Sequence, residues 1–138
     1  MNWQPALLTW KYHGIAFDPS YEEILTNGWY GFVYEIKHGD SGKAYIGRKY
    51  FQSRLGKRRA QSNWRTYWGS SDPLWHDICR LGTAQFTRTV LSIHKDKYSV
   101  NYAEVREMFL RDVLYATLPD GQRAYYNEVI FAGVYRAA

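Results

Sequence analysis

The sequence predicts a single α+β domain: a small antiparallel sheet of about three strands, opened by a hairpin and flanked by helices. Three observations carry this. Two neighbouring runs rich in aromatic and β-branched residues, Trp29–Lys37 and Lys43–Phe51, are split by the turn sequence His38-Gly39-Asp40-Ser41-Gly42. A further run of this kind covers Phe86–Ile93. Residues 71–81 and 101–116 carry helix start signals or apolar residues at helical spacing.

Residues 1–28 read as an N-terminal extension to a unit spanning 29–138, with turn signals at His13-Gly14, Asp18-Pro19-Ser20 and Asn27-Gly28. A short helix over Tyr21–Leu25 follows a cap at Asp18 or Ser20. The hairpin comes next. Gln52–Asn63 is a basic segment, expected as a short helix broken near Gly56 or as a loop. Ser71-Asp72-Pro73 starts a helix, because a side-chain oxygen caps the first turn and proline's missing N–H costs nothing there. Leu74, Trp75, Ile78, Cys79 and Leu81 give it an apolar face, which predicts a buried Cys79, and Gly82 ends it. In Asn101–Ala116, Tyr102, Val105, Phe109, Val113 and Leu114 recur at helical spacing. Pro119-Asp120-Gly121 makes a turn, and Tyr125–Tyr135 is a final extended segment.

Composition excludes several classes. The chain has 138 residues, 46% of them hydrophobic and 22% charged, enough for a self-sufficient core. A single cysteine rules out an internal disulfide framework and a multi-cysteine zinc cage. His13, His38, His76 and His94 show no metal-ligand spacing. No run of about eighteen apolar residues predicts a membrane span, and Met1–Trp10 lacks the features of a secretory signal.

The charge is unevenly placed. The net charge is +5, yet Lys43–Arg65 holds eight basic residues and no acid, which leaves ten basic against thirteen acidic residues elsewhere. A basic stripe on an otherwise acidic chain points to a polyanion. Tyr45, Tyr50, Phe51, Trp64, Tyr67 and Trp68 lie in or beside it, and rings among cations suit nucleic acid, where phosphates meet charge and bases stack. A solvated loop beside core aromatics fits the same composition.

The hairpin is the most specific feature. It reads Gly31-Phe32-Val33-Tyr34, steps eleven residues to Tyr45, and continues Ile46-Gly47. These elements, written GFVY and AYIG here, resemble the GIY-YIG endonucleases. The likeness runs over about residues 29–135: Trp64–Ser71 (WRTYWGSS), Phe86-Thr87-Arg88, Asn101-Tyr102-Ala103-Glu104 and Tyr125-Tyr126-Asn127 look like a phage branch, the Seg-type homing endonucleases of T-even-like phages.

The resemblance implies a GIY-YIG nuclease fold, a DNA substrate, Mg²⁺ (or Mn²⁺) as cofactor, and products with 5′-phosphate and 3′-hydroxyl ends. Tyr34 and Tyr45 would face the reaction centre, one of them helping to deprotonate the attacking water. An arginine after the second tyrosine would bind the scissile phosphate. Arg54 lies nine residues beyond Tyr45 and three beyond Phe51, with Arg58 and Arg59 as rivals. Arg48, Lys49, Lys57 and Arg65 would add backbone contacts. A helical glutamate would hold the metal: Glu104 fits the Asn-Tyr-x-Glu pattern, and Glu107 is the alternative, though Arg111 four residues on offers it an ion pair. Asn127 would order the site. A phenol ionises near pH 10, so a tyrosine base needs cations beside it; Arg48, Lys49 and Arg54 are the candidates. The protein would be a monomer or homodimer in the cytoplasm, that of the host if phage-encoded. Two other readings fit the sequence: a nucleic-acid-binding module without catalysis, and a phage protein that engages a host factor through its basic stripe.

Overall fold

The computed structural model describes residues 9–55 and 58–131. A five-stranded sheet forms its centre, in the order β2 (Ile15–Phe17), β1 (Trp10–Tyr12), β7 (Phe86–His94), β3 (Gly31–His38), β4 (Ala44–Tyr50). The sheet is larger than the sequence predicts, and not wholly antiparallel: β1 runs parallel to β7. The turn-rich lead-in therefore supplies two strands, too short to show any periodicity. Helix α1 (Tyr21–Asn27) is capped by Ser20, whose side chain accepts from the Glu23 amide, and ends on Gly28 at φ 65°.

Both faces of β3 are covered, so Gly31 to Tyr34 are all buried and alternation is lost. On one face Phe32, Tyr34 and Ile36 pack in an aromatic core with Trp10, Phe51 and Trp64. Helix α2 (Asp72–Leu81) closes that side through Leu74 and Ile78. On the other, Val33 and Ile46 meet Val100, Ala103 and Met108 of α3 (Lys97–Leu110). The register between β3 and β7 slips between Val33 and Tyr34. Such an irregularity re-aims a side chain, and it lies at the first tyrosine of the hairpin motif.

Several local expectations change. Cys79 is exposed, not core: Leu74 and Ile78 define the buried line, and Cys79 lies one step further round the helix. Helix α3 starts four residues before Asn101, where Asp96 caps it through the Ser99 amide. It stops at Leu110, and Asp112 turns to φ 52°. Val113 is still buried, but from the turn beyond the helix. The basic segment is neither helix nor loop. It forms a two-stranded ribbon, β5 (Gln52–Leu55) with β6 (Arg58–Gln61), anchored by buried Phe51, whose carbonyl accepts from the Ser62 amide at 2.8 Å. The tail contributes only an isolated parallel bridge, Ala44 to Tyr125; residues 132–135 and Lys57 lie outside the described residues.

Candidate active site

The free edge of β4 is closed by the tail. The Ala44 amide donates to the Ala124 carbonyl and the Tyr126 amide to the Ala44 carbonyl. Asn127 then substitutes its side chain for a strand: Oδ1 accepts from the Ile46 amide at 3.0 Å and Nδ2 donates to the Ile46 carbonyl at 2.8 Å. Asn127 is 3% exposed and both ends of its amide are engaged, so it fixes the backbone between Tyr45 and Gly47. It is a positioning residue, not a group with a free reactive atom.

A cleft of about 890 Å³ opens beside this edge. Tyr34, Tyr45, Arg54 and Glu104 all line it, together with Arg48, Lys49, Arg59 and Tyr67. Groups from β3, β4, the ribbon and α3 therefore face one space. The Tyr34 and Tyr45 rings lie 6.2 Å apart, and Tyr67 meets Tyr34 edge-on at 6.0 Å with its side chain as hydrogen-bond partner. Tyr45 Oη lies 3.2 Å from Ser70 Oγ. Lys49 Nζ sits 4.0 Å over the Tyr67 ring.

Gly47 explains itself here. A Cβ at this position would lie 2.4 Å from Tyr34 Oη and 2.5 Å from its Cζ. The glycine makes room for the neighbouring strand's phenol rather than for a ligand.

Glu104 is 8% exposed, and its Oε1 accepts from Arg48 Nη1 at 2.7 Å. Arg48 Nε also donates to Tyr50 Oη, and Tyr50 Oη donates to Asn101 Oδ1 at 2.8 Å. Asn101 and Glu104, three apart on α3, thus hold Arg48 from two sides. Burial raises the Glu104 pKa above the usual carboxylate range, with Arg48 opposing it. Burial lowers that of Lys49.

Burial pushes Tyr34 well above an ordinary tyrosine, helped by Tyr67 and Tyr45. Tyr45 is also raised, chiefly by burial; Ser70 and Arg48 pull it down without prevailing. For both rings desolvation is the largest influence and favours the neutral phenol, against the pull of Arg48 on Tyr45.

Other predicted residues go elsewhere. Glu107 does not line the cleft; Arg111 Nη1 donates to it, and Arg111 also approaches Glu35. Arg65 donates to Asp18, to the Pro19 carbonyl and to Gln61, bracing the lead-in rather than facing the cleft. Arg58 is exposed on the ribbon, outside the cleft lining. Tyr67 and Ser70 touch the two phenols; in the sequence Tyr67 shows only as one of the aromatic residues beside the basic stripe, and Ser70 only as a member of the WRTYWGSS segment.

The donor set suits a hard cation. Among the described residues no group of three His, Cys, Asp or Glu side chains is placed to hold a metal. One buried carboxylate, Glu104, lines the cleft, and Mg²⁺ is commonly held by a single carboxylate with waters and a substrate phosphate. Among the described residues no helix is long and apolar enough to cross a membrane.

No curated protein and no solved structure matches the chain. One family model does, described as "Putative endonuclease segE, GIY-YIG domain"; it covers residues 10–130, starting at the first residue of β1. With that match across most of its length, and with the paired tyrosines of β3 and β4 in a common cleft, the chain belongs to the segE GIY-YIG domain family.

Proposed function

We propose that this chain is a phage-encoded, Mg²⁺-dependent DNA endonuclease. The observation that carries the reading is the meeting of Tyr34, Tyr45, Arg54 and Glu104 in one cleft with a basic ribbon at its rim. Water oxygen forms a bond to phosphorus, the bond from phosphorus to the 3′-oxygen breaks, and a proton passes to that oxygen. The products are a 5′-phosphate and a 3′-hydroxyl.

A phosphodiester resists attack because it is anionic and its leaving group is poor. Arg54 supplies a permanent planar charge for the non-bridging oxygens, and Lys49 a second cation. Glu104 would hold the metal, which when bound would neutralise phosphate charge and acidify water. Arg48 favours the charged form of Glu104 against its burial and aims the carboxylate. Tyr45, half-buried at the cleft wall, orients the water as a neutral phenol; Tyr34, 1% exposed, packs its ring behind it and takes Tyr67 as its hydrogen-bond partner. Supercoiled plasmid with Mg²⁺ tests the reading. Nicked circles with the stated ends support it, with loss of nicking in EDTA. Plasmid left intact by wild type across divalent metals and pH defeats it and favours the non-catalytic module.

The pH dependence follows from Glu104. Cation affinity and cleavage fall as the carboxyl protonates, at a pH above the roughly 4.3 of an exposed glutamate. Stability has the opposite sign. The folded protein holds this proton more tightly than the unfolded chain, so the contribution of Glu104 is fully present below the unfolded pKa and lost as pH rises through the folded one. Cleavage rates and melting temperatures measured against pH check both, and Glu104→Gln flattens both dependences.

The ribbon places Arg54 directly across from Arg59. Like charges in cross-strand register cost stability. Arg59→Gln is expected to raise the melting temperature by about 1–2 °C while weakening DNA binding and reducing its salt slope by about one. Calorimetry and binding titrations at several salt concentrations read both effects.

A further inference from the structure

Arg88 lies within β7, opposite Ile36 of β3, and is 2% exposed. A buried guanidinium is costly unless its surroundings answer it. Its central carbon lies 4.6 Å from the Trp10 ring centroid and 4.4 Å from that of Trp68. Its Nη1 donates to the carbonyls of Arg65 at 3.0 Å and Tyr67 at 2.8 Å. Burial pulls its pKa down to about 10, which leaves it charged at neutral pH.

Trp10 adds a third tether: its Nε1 donates to the Trp64 carbonyl at 2.9 Å. The 64–67 segment is therefore fastened to β1 and β7 through three backbone oxygens. This segment leads into the cleft. Tyr67 packs on Tyr34, and three residues on, Ser70 meets Tyr45, after Gly69 turns the chain at φ 85°. Core filling alone does not call for a cation here, since apolar residues of similar volume commonly replace buried ions without loss. Directional bonds to two carbonyls, two residues apart in one segment, do call for one.

We propose that Arg88 is a positioning residue of the cleft: by holding the 64–70 wall it sets Tyr67 and Ser70 against the two phenols, Tyr34 and Tyr45. The effect on cleavage rests on the nuclease reading; the effect on the phenols does not. Arg88→Met keeps the bulk and removes the donors, Arg88→Lys restores a donor, and Tyr67→Phe removes only the hydroxyl.

The test measures folding by circular dichroism, affinity for a labelled DNA duplex, single-turnover plasmid cleavage, and ¹³Cζ-tyrosine NMR. The Tyr34 and Tyr45 signals are assigned by their loss in phenylalanine variants. Folded Arg88→Met is expected to bind DNA within about twofold of wild type, to cleave at least about tenfold more slowly, and to shift both signals. Arg88→Lys is expected to fall between. Adding Tyr67→Phe to Arg88→Met is expected to slow cleavage no further, because both act through one contact. Cleavage within twofold of wild type, a rate loss matched by lost affinity, or unmoved tyrosine signals would overturn the proposal. If Arg88→Met does not fold, Arg88→Lys is judged by the same readouts. If wild type cleaves no DNA, the nuclease reading fails separately, and the NMR shifts alone decide on Arg88.

Discussion

Glu104→Gln is expected to bind DNA about as well as wild type and to cleave it at least about a hundredfold more slowly. The amide is nearly isosteric and still accepts from Arg48, so the Arg48–Tyr50–Asn101 chain keeps its shape. What goes is the negative charge that would hold a divalent cation in the cleft. Glu107→Gln is the matched control. It lies three residues along the same helix, but its carboxylate is engaged by Arg111 away from the cleft, so cleavage within about twofold of wild type is expected. Single-turnover plasmid assays on the two variants make the comparison. Loss of activity in Glu107→Gln with retention in Glu104→Gln would reverse the assignment.

The second large effect is expected at Gly47. Gly47→Ala places a methyl carbon 2.4 Å from Tyr34 Oη and 2.5 Å from Cζ, closer than any real contact. Tyr34 is fully enclosed by Trp10, Phe32, Tyr45 and Tyr67, so its ring has nowhere to retreat. The strands must part or the ring must leave its rotamer, at a cost of about 1–3 kcal/mol. Chemical denaturation should show that loss, and cleavage should fall by more than the unfolded fraction explains, because the phenol itself is displaced. Tyr34→Phe in the Gly47→Ala background removes the closer contact only, so partial recovery of stability is expected.

How much of this was legible in the sequence depends on what each residue's signal encodes. The hairpin could be read because β-rich runs and an intervening turn are local, and Ser71 and Gly82 mark α2 by cap chemistry that sequence displays directly. The paired tyrosines could be read because their separation and glycine neighbours are an ordered pattern. The lead-in could not: strands of three residues carry no period, and β1 exists only because β7 offers it a parallel partner. The ribbon was hidden by its own composition, since arginines and lysines declare charge and not conformation. Arg88 reads as a surface residue in any pattern that sorts charge from apolar, and only the tertiary approach of Trp10, Trp68 and two carbonyls makes it a buried strut. The Asn-Tyr-x-Glu pattern favours Glu104 over Glu107, but which one faces the cleft is decided by the roll of α3 against Val33 and Ile46 and by where Arg111 sits. The protonation of the phenols is not legible from a count of nearby cations, because such a count says nothing about desolvation, which is the largest influence on a ring as enclosed as Tyr34.

On the proposed function, the Tyr45 phenol, the Arg54 guanidinium and the Glu104 carboxylate act together on one phosphodiester, with Tyr34 packed behind Tyr45. Single-turnover cleavage by Tyr45→Phe, Arg54→Ala, Glu104→Gln and the double variant Arg54→Ala/Glu104→Gln, each with its DNA affinity, measures this directly. The account predicts that every single change slows the chemical step by more than about tenfold with affinity altered less than about threefold, and that the double variant is barely slower than its worse parent, as for groups serving one transition state. Losses that multiply in the double variant, or that reside wholly in affinity, would contradict it.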